Sequence, residues 1–251
     1  MLQSPSVVEF LGVGFHTMTL DGAARALLAT SADEPFRYVV TPNVQHMVMI
    51  LEDRAKYAPL YDKAWRTLCD SRVLARLAGL RGRRLQVVTG SDLTARVIEG
   101  ANAAGMKVAI VGPSAEDCAK LRARYPRLLA ACHTPPMGFI EHEAEIVRCI
   151  DFVVRERAPL VFLAVGTPRQ ELLAKRLAEH AGATGIGLCI GASIDFLTGK
   201  QRRAPVWMQK AGIEWLHRLL SDPVRLASRY LVECPKIFLL MLREHRRVSQ
   251  P

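Results

Sequence analysis

Four polar segments contain residues that could bind or activate a small polar substrate. They are 41–43 (TPN), Asp70, 166–171 (GTPRQE) and 191–195 (GASID), and each follows a short apolar run that predicts a β-strand. In open α/β sheets, ligands bind beyond the carboxyl ends of the strands. Because the ends of parallel strands meet at one edge of a sheet, we expect these segments to form one polar cleft.

Different roles are open for the first two segments. Asp70 could take a proton from a substrate hydroxyl as a general base. Its local sequence favours a turn or helix N-cap instead, because Ser71 and the apolar Val73 follow it. Thr41 and Asn43 could hydrogen-bond a sugar or a base, and capping of the next helix is an equally good interpretation.

The segment 166–171 is more specific. Pro168 suits the first turn of a helix, whose free N–H groups attract an anion. Gln170 and Glu171 would then face the cleft as hydrogen-bond donor and acceptor, and an ordinary turn between strand and helix is the alternative. The turn at 112–114 (GPS) resembles a nucleotide-binding turn, which makes Gly112 a weaker candidate for substrate binding.

The elements that must hold these residues alternate between strands and helices. The predicted strands are 37–41, 65–69, 107–111, 160–165 and 185–190, and the predicted helices are 44–63, 93–104, one from 114 to about 124, 141–157 and one from 168 to about 180. Continuous apolar strands are typical of a parallel sheet covered on both faces. The chain is therefore predicted to be an α/β protein with a Rossmann-like, mainly parallel sheet and flanking helices.

The character of the sequence changes near position 200. Residues 200–251 contain eleven lysines and arginines but four acidic residues, so they carry +7 of the formal charge of +10. Three helices with apolar patches beside basic side chains are predicted there, over 204–220, 223–232 and 235–247. We expect an α/β core with the active-site cleft, 1–199, and a basic amphipathic helical appendage, 200–251. Such an appendage suits a membrane interface, and packing on the core or on another subunit is the alternative.

Composition narrows the class of protein. The chain has 251 residues, 50% hydrophobic and 23% charged, which are ordinary globular values. No apolar run reaches the roughly 20 residues that span a bilayer. The first basic residue is Arg25, so a signal peptide is not expected and the chain is predicted to stay in the cytoplasm. Six cysteines without a CxxC pair predict reduced thiols.

Missing motifs argue against several kinds of chemistry. The chain lacks GxxxxGK[ST], HExxH and GxSxG, and it lacks the Asp-x-Asp pair with which many sugar transferases hold a divalent metal. The segment 141–143 (EHE) is interpreted as a solvated helix start rather than a metal site. No metal and no cofactor are predicted.

Several segments together resemble one family of enzymes. GTPRQE at 166–171 and the long run 185–230, which contains RAP, EWLHRL, DPVR and RY in that order, are similar to the WecG/TagA/CpsF glycosyltransferases, glycosyltransferase family twenty-six. TPN at 41–43, Asp70 and TGSDL at 89–93 extend the resemblance over nearly the whole chain.

The resemblance implies an inverting, metal-independent transferase that contributes to bacterial surface polysaccharide or exopolysaccharide. Such enzymes move a sugar, often of the N-acetylmannosamine type, from UDP to a polyprenyl-diphosphate-linked sugar. The family fold is Rossmann-like, with a C-terminal helical appendage that meets the membrane. The expected partners are therefore a UDP-sugar donor, the lipid-linked acceptor and the anionic inner face of the cell membrane. No nucleic acid is expected, and a homo-oligomer stays open.

The resemblance also implies roles for single residues. Asp70 matches the catalytic base, whereas Thr41, Asn43, Gln170 and Asp195 match polar residues of the active site. Arg218 and Arg225 match appendage arginines that approach the diphosphate, and Arg229 is a further member. The full set predicted to bind substrate adds Gly112, Glu171, Gly191, Arg202 and Arg203.

Two departures from the family pattern concern the same site. Ser71 follows Asp70 where the family usually has glycine. The segment 85–88 (LQVV) stands where many members have an arginine shortly before TGSDL, which leaves Arg83 or Arg84 as a substitute unless the leaving-group contact is built differently.

Two other classes of protein stay open on the sequence. A nucleotide-dependent oxidoreductase would suit the Rossmann-like rhythm, although the chain has no convincing dinucleotide fingerprint. A basic membrane- or nucleic-acid-binding module without catalysis would suit the charge, although only 6% of the residues are aromatic and offer little base stacking.

Overall fold

The structure, a computed structural model, describes residues 5–248, and for 245–248 the backbone alone. An antiparallel hairpin of β1 (Val7–Phe10) and β2 (Val13–His16) comes first. The next strands form one parallel sheet: β3 (Arg37–Val40), β4 (Arg66–Thr67), β5 (Lys107–Val111), β6 (Leu129–His133), β7 (Leu160–Leu163) and β8 (Ile186–Cys189). Their order in the sheet is β4-β3-β8-β7-β5-β6. The predicted α/β fold with a parallel sheet is confirmed.

Helices connect the strands and continue into the appendage. Those before residue 200 are α1 (Leu20–Leu28), α2 (Val44–Glu52), α3 (Arg54–Asp62), α4 (Arg72–Gly79), α5 (Gly90–Ala104), α6 (Ala115–Arg124), α7 (Glu143–Glu156), α8 (Arg169–Ala178) and α9 (Ser193–Leu197), with a 3-10 turn at Phe139–Glu141. The appendage contains α10 (Val206–Ala211), α11 (Glu214–Ser221), α12 (Pro223–Ala227), a π-helical segment Ser228–Glu233, and α13 (Lys236–Val248). Within residues 5–248, no helix is both long and apolar enough to cross a membrane.

Side chains of the strands point alternately into two apolar cores, one on each face of the sheet. On one face, Tyr38, Val111 and Leu163 pack with residues of α2, α7 and α8. On the other face, Ile110 and Phe162 pack with residues of α1, α5 and α6. Because helices cover both faces, these strands need no polar side. The continuous apolar runs of the sequence follow from this arrangement.

Helix α13 fastens the appendage to the rest of the chain. Ile237 and Met241 are buried, with 1% and 7% of their surface exposed, in the core that also contains α2. Lys236 pairs with Glu52 at 2.7 Å, and Arg81 donates to the carbonyl oxygen of Met241 at 3.0 Å. The two parts of the chain therefore share one apolar core, and a division near position 200 stays a prediction.

The structure differs from the predicted elements where helices are interrupted. The helix predicted over 44–63 is two helices, because Asp53 leaves the helical backbone and its carboxylate accepts the Lys56 N–H at the start of α3. The helix predicted over 204–220 stops at Gly212, whose φ of +74° ends α10. Helix α4 and strand β6 are absent from the prediction, since α4 is short and β6 (LAACH) is only partly buried.

One prediction about the cysteines is wrong. Cys118 on α6 and Cys132 on β6 form a disulfide bond with their Cα atoms 6.6 Å apart, so the expectation of six reduced thiols fails for this pair. The remaining cysteines are free, as predicted: Cys69, Cys149, Cys189 and Cys234.

Gly112, directly after β5, has a structural reason to be glycine. Its φ is +122°, and a Cβ there would lie 2.6 Å from the carbonyl oxygen of Ala164. We expect Gly112→Ala to lower the free energy of unfolding by about 1–3 kcal/mol, because backbone strain and the close approach both oppose a side chain. Urea denaturation followed by circular dichroism measures the change.

Gly79→Ala is the matched control for this experiment. Gly79 is the last residue of α4, and a Cβ there would meet nothing within 4 Å. Its stability should change by less than about 1 kcal/mol, since alanine suits a helix better than glycine. Equal losses in the two variants would contradict the special role of Gly112.

Candidate active site

A cavity of about 330 Å³ lies between the carboxyl edge of the sheet and the appendage. One wall is formed by the segments after β3 and β4 and by the start of α5: Asn43, Val44, Gln45, Asp70, Ser71, Arg72, Val73, Thr89, Ser91 and Asp92. The other wall comes from the appendage: Gln209, Gly212, Glu214, Trp215, Arg218, Arg229, Tyr230, Cys234, Pro235 and Phe238. Two of the four predicted segments, 41–43 and Asp70, therefore meet at one cleft, which the appendage completes.

Asp70 is held on the cavity wall by backbone on two sides. Its N–H donates to the carbonyl oxygen of Pro42 at 3.1 Å, which ties it to the segment after β3. Its carboxylate oxygen Oδ1 accepts the N–H of Gly90, in the first turn of α5, at 2.8 Å. Helix α4 is capped by Ser71, whose hydroxyl oxygen accepts the Leu74 N–H at 3.1 Å. The capping role that the local sequence favours for Asp70 is therefore wrong.

The surroundings of Asp70 suit a group that exchanges protons. Burial raises the pKa of this carboxyl to about 6. The Gly90 N–H and the nearby Arg218 and His46 act against the increase in pKa, whereas Glu214 adds to it. A general base works best when its pKa lies near the operating pH and when it borders a cavity that a substrate hydroxyl can reach. Asp70 meets both conditions.

The appendage places two arginines on the wall that faces Asp70. Arg218 on α11 pairs with Glu214 at 3.1 Å, and its guanidinium lies 5.1 Å from the ring centre of Phe196. Arg229 lies over the ring of Tyr230 at 5.3 Å, and its Nε is buried without a hydrogen-bond partner. Two guanidinium groups beside a cavity can bind phosphate or stabilise a developing negative charge.

A chain of hydrogen bonds ties the segment after β3 to the segment after β7. The Asn43 side chain accepts the Gln45 N–H at 3.0 Å and thereby caps α2, so the predicted capping role is confirmed. The same Asn43 oxygen lies 2.8 Å from His46 Nδ1. On the other side of the imidazole ring, His46 Nε2 lies 2.7 Å from the hydroxyl of Thr167. His46 is therefore a buried connector, although it also lies close to the cavity.

The same chain continues to the segment after β8. The Thr167 hydroxyl donates to Glu171 Oε1 at 3.1 Å, and the Gln170 amide donates to the same oxygen at 2.8 Å. The Gln170 oxygen accepts the N–H of Gly191 at 2.8 Å. Gln170 and Glu171 are 4% and 1% exposed and do not line the cavity. Both side chains are hydrogen-bonded within the protein, and their predicted contact with substrate stays a prediction.

A second polar cluster lies beyond β5 and β8, apart from the cavity wall. The Asp195 carboxylate accepts from the Gln201 amide at 3.2 Å, and burial raises its pKa while the nearby Lys200 lowers it. Asp117 on α6 accepts from the Ser114 hydroxyl at 2.6 Å and pairs with Lys200 at 3.4 Å. This cluster joins the turn after β5, which contains Gly112, to the turn after β8.

The remaining predicted side chains occupy different positions. Thr41 lies against the start of α5, where a Cβ at Gly90 would lie 2.8 Å from its hydroxyl oxygen. Arg203 is an anchor, because it pairs with Asp92 at 2.5 Å and donates to Gln209 at 3.3 Å. The other predicted arginines do not line the cavity: Arg202 is exposed, Arg225 is exposed and pairs with Asp222 at 2.6 Å, and Arg83 and Arg84 are exposed.

Sequence reasoning missed much of the appendage wall. Glu214, Trp215, Tyr230 and Phe238 line the cavity, and the first three lie in the quoted segments EWLHRL and RY. Their place in those segments was a usable signal, whereas Phe238 lies in an apolar run that predicts only a buried or interfacial face. Among the described residues, no three His, Cys, Asp or Glu side chains are grouped to hold a metal ion.

The fold and the cavity define an α/β enzyme with its site at the carboxyl ends of parallel strands. The model of the family described as "Glycosyl transferase WecG/TagA/CpsF family" matches residues 8–251, and the chain belongs to this family. The protein is therefore a glycosyltransferase, which decides against the two alternative classes.

Two relatives have the same name, N-acetylglucosaminyldiphosphoundecaprenol N-acetyl-beta-D-mannosaminyltransferase. The protein from Bacillus spizizenii is 24% identical over 219 residues, which cover 85% of this chain and 82% of the relative. The protein from Bacillus subtilis strain 168 is 25% identical over 175 residues, which cover 68% of this chain and 65% of the relative.

The raised pKa of Asp70 makes stability depend on pH. The folded protein holds this proton more tightly than the unfolded chain, so stability falls as the pH rises from about 4 through about 6. Asp70→Asn keeps an acceptor for the Gly90 N–H but has no charge to bury. Its free energy of unfolding, relative to wild type, should therefore increase by up to about 3 kcal/mol over this pH range. Urea denaturation at several pH values measures the difference.

Asp151→Asn is the control, because Asp151 is an exposed aspartate on α7. The stability difference between this variant and wild type should stay nearly constant with pH. If the stability difference between Asp70→Asn and wild type also stayed constant with pH, burial would not raise the pKa of the Asp70 carboxyl.

Proposed function

We propose that the protein moves a sugar, of the N-acetylmannosamine type or another hexose, from a UDP-sugar to a polyprenyl-diphosphate-linked sugar, with inversion and without a metal ion. The observation that carries the proposal is the half-buried Asp70 carboxylate on the wall of a cavity that Arg218 and Arg229 also line. The name of the two relatives describes transfer of an N-acetylmannosaminyl group to N-acetylglucosaminyldiphosphoundecaprenol, which supports the substrate class. The product would enter a bacterial surface polysaccharide.

The proposed reaction is one displacement at the anomeric carbon of the donor. Asp70 takes the proton of an acceptor hydroxyl, and that oxygen forms a bond to the anomeric carbon. The bond between this carbon and the diphosphate oxygen breaks on the opposite side, and UDP leaves with the electron pair. Because attack and departure occur on opposite faces, the configuration at the anomeric carbon inverts.

Arginines are proposed to take the place of a metal ion in this reaction. Negative charge develops on the diphosphate as the bond breaks, and preorganised donors at that position lower the barrier. Arg218 and Arg229 line the cavity opposite Asp70 and have the fork of donors that matches phosphate oxygens. The paired Glu214 holds the Arg218 guanidinium in place at 3.1 Å.

The donor and the acceptor are proposed to approach from different sides. The second polar cluster, around Asp195 and the turns of Gly112 and Gly191, would hold the nucleotide beyond the strand ends. Thr41 and Asn43 would contact the sugar between that cluster and Asp70. The lipid-linked acceptor would enter along the appendage, where Trp215, Tyr230 and Phe238 give the cavity an aromatic side.

The appendage is proposed to bring the protein to the inner face of the cell membrane as a peripheral protein. Its exposed apolar side chains are Val206, Trp207, Trp215, Leu220, Val224, Leu231, Val232, Phe238, Leu239 and Leu242. Apolar side chains within a segment of formal charge +7 suit an anionic lipid surface. An acceptor with a polyprenyl chain would be found at that surface.

The proposed base is tested by UDP release from a panel of UDP-sugars, with a short polyprenyl-diphosphate-sugar acceptor and EDTA present. We expect acceptor-dependent release by the wild type and a loss of about 10²–10⁴-fold in Asp70→Asn, which has the size of general-base catalysis. For the wild type, kcat/KM should rise with pH through about 6 as Asp70 loses its proton. Asp151→Asn should match the wild type.

Each part of the proposal has its own contrary result. Equal UDP release by Asp70→Asn and wild type would exclude Asp70 as the base. Loss of release in EDTA, restored by a divalent cation, would exclude the metal-independent reaction. Retained configuration of the product, measured by proton nuclear magnetic resonance, would exclude a single displacement.

Membrane binding is tested by sedimentation with vesicles that contain phosphatidylglycerol. Leu239 and Leu242 are 60% and 59% exposed on α13. Replacing both by glutamine should weaken vesicle binding by about tenfold or more, because each leucine loses its apolar contact with lipid. Leu129→Gln is the control, since Leu129 is 61% exposed on β6, in the α/β core. Unchanged binding of the double variant would exclude α13 as a membrane contact.

A further inference from the structure

Three of the six charged side chains that line the cavity already have an ionic partner. Asp92 pairs with Arg203 at 2.5 Å, and Glu214 pairs with Arg218 at 3.1 Å. Within residues 5–244, whose side chains the structure describes, the lining arginines Arg72 and Arg229 form no salt bridge. The cavity therefore has two positive charges available for an anion, one from the appendage and one from the core.

Arg72 occupies a distinctive place on the core side. It is the first residue of α4, directly after the Ser71 cap and two positions after Asp70. The turn between α10 and α11 lies over it, since a Cβ at Gly212 would lie 3.4 Å from the Arg72 Cβ. The side chain is nevertheless exposed and lines the cavity. It is close enough to Asp92 to lower the pKa of that carboxyl, although Asp92 is hydrogen-bonded to Arg203 and Thr89 instead.

The proposed reaction brings phosphate close to this position from two sources. The hydroxyl that Asp70 deprotonates attacks the anomeric carbon of the donor sugar, and this carbon is also bonded to the donor diphosphate. The same hydroxyl belongs to the acceptor sugar, whose own diphosphate is attached to another carbon of the same ring. Either diphosphate would therefore lie about one sugar ring from Asp70. The charge of a diphosphate exceeds what Arg229 and Arg218 neutralise, because Glu214 offsets part of the charge of Arg218.

We propose that Arg72 is a further substrate-binding residue, whose guanidinium binds a diphosphate beside Asp70 together with Arg229. The assignment rests on the proposed function for its choice of ligand. The diphosphate is either that of UDP or that of the lipid-linked acceptor, and the two sources give different results in the test.

The test compares wild type, Arg72→Gln and Arg72→Lys by calorimetric titration with UDP and, separately, with farnesyl diphosphate, in the presence of EDTA. Removing a charge-assisted hydrogen bond should weaken binding by about tenfold or more. A higher Kd for UDP alone assigns Arg72 to the donor, and a higher Kd for farnesyl diphosphate alone assigns it to the acceptor. Arg72→Lys should recover part of the loss, because it keeps the charge but loses the fork of donors.

Arg76→Gln is the matched control, because Arg76 is an exposed arginine one turn further along α4 that does not line the cavity. Its Kd values should equal those of the wild type. Unchanged Kd values for both ligands in Arg72→Gln would overturn the proposal, as would equal losses in Arg76→Gln or the absence of binding of either ligand to the wild type. UDP release with a full acceptor is measured in parallel. A wild type that binds both ligands but transfers no sugar would refute the proposed function and leave the result for Arg72 intact.

Discussion

The hydrogen bond from the Gly90 N–H to the Asp70 carboxylate fixes the geometry on which the site depends. It joins the segment after β4 to the first turn of α5, two parts of the chain that are separate in sequence. One N–H offsets only part of the cost of burying a charge, and the rest is expressed as the raised pKa of Asp70. More donors would make this carboxylate a more stable anion and a weaker base. The sparse hydrogen bonding of the Asp70 carboxylate therefore supports its proposed role as a general base.

The positive charge opposite Asp70 depends on how the appendage is held. Arg203 fastens the beginning of the appendage to Asp92, and Ile237 and Met241 bury its last helix in the core. Between these anchors, α11 and the π-helical segment place Arg218 and Arg229 on the cavity wall. Residues of the same helices line the cavity that Asp70 borders. If the appendage moved away, the cavity would lose Arg218 and Arg229, and the pKa of Asp70 would fall because the carboxylate would be hydrated. Docking of the appendage therefore controls both the positive charge of the cavity and the pKa of Asp70.

The sequence predicts those features that follow from local patterns. Strand β5 matches its predicted bounds, because burial of both faces leaves an uninterrupted apolar run. Features that depend on distant contacts are different. The local sequence predicts that Asp70 is a helix cap, and only the fold shows that its carboxylate accepts the Gly90 N–H instead. The spacing of Cys118 and Cys132 does not predict their disulfide bond. Arg203 belongs to a recognised segment, yet its contact with Asp92 makes it an anchor rather than a side chain of the cavity. Helix breaks at Asp53 and Gly212 depend on single residues within otherwise helical patterns.

The buried hydrogen-bond chain changes how the GTPRQE segment should be understood. Asn43, His46, Thr167, Glu171, Gln170 and Gly191 connect the turns after β3, β7 and β8 in sequence. Buried polar side chains that hydrogen-bond to one another favour one arrangement, and removal of one partner leaves another unpaired. A loss of activity in Gln170→Ala would therefore not identify a substrate contact, since the Gly191 N–H would lose its acceptor and the turn could shift. If Gln170 contacts the substrate, Gln170→Ala should change the affinity for the donor while the turn at Gly191 keeps its position. If Gln170 only positions that turn, the turn should move in the variant.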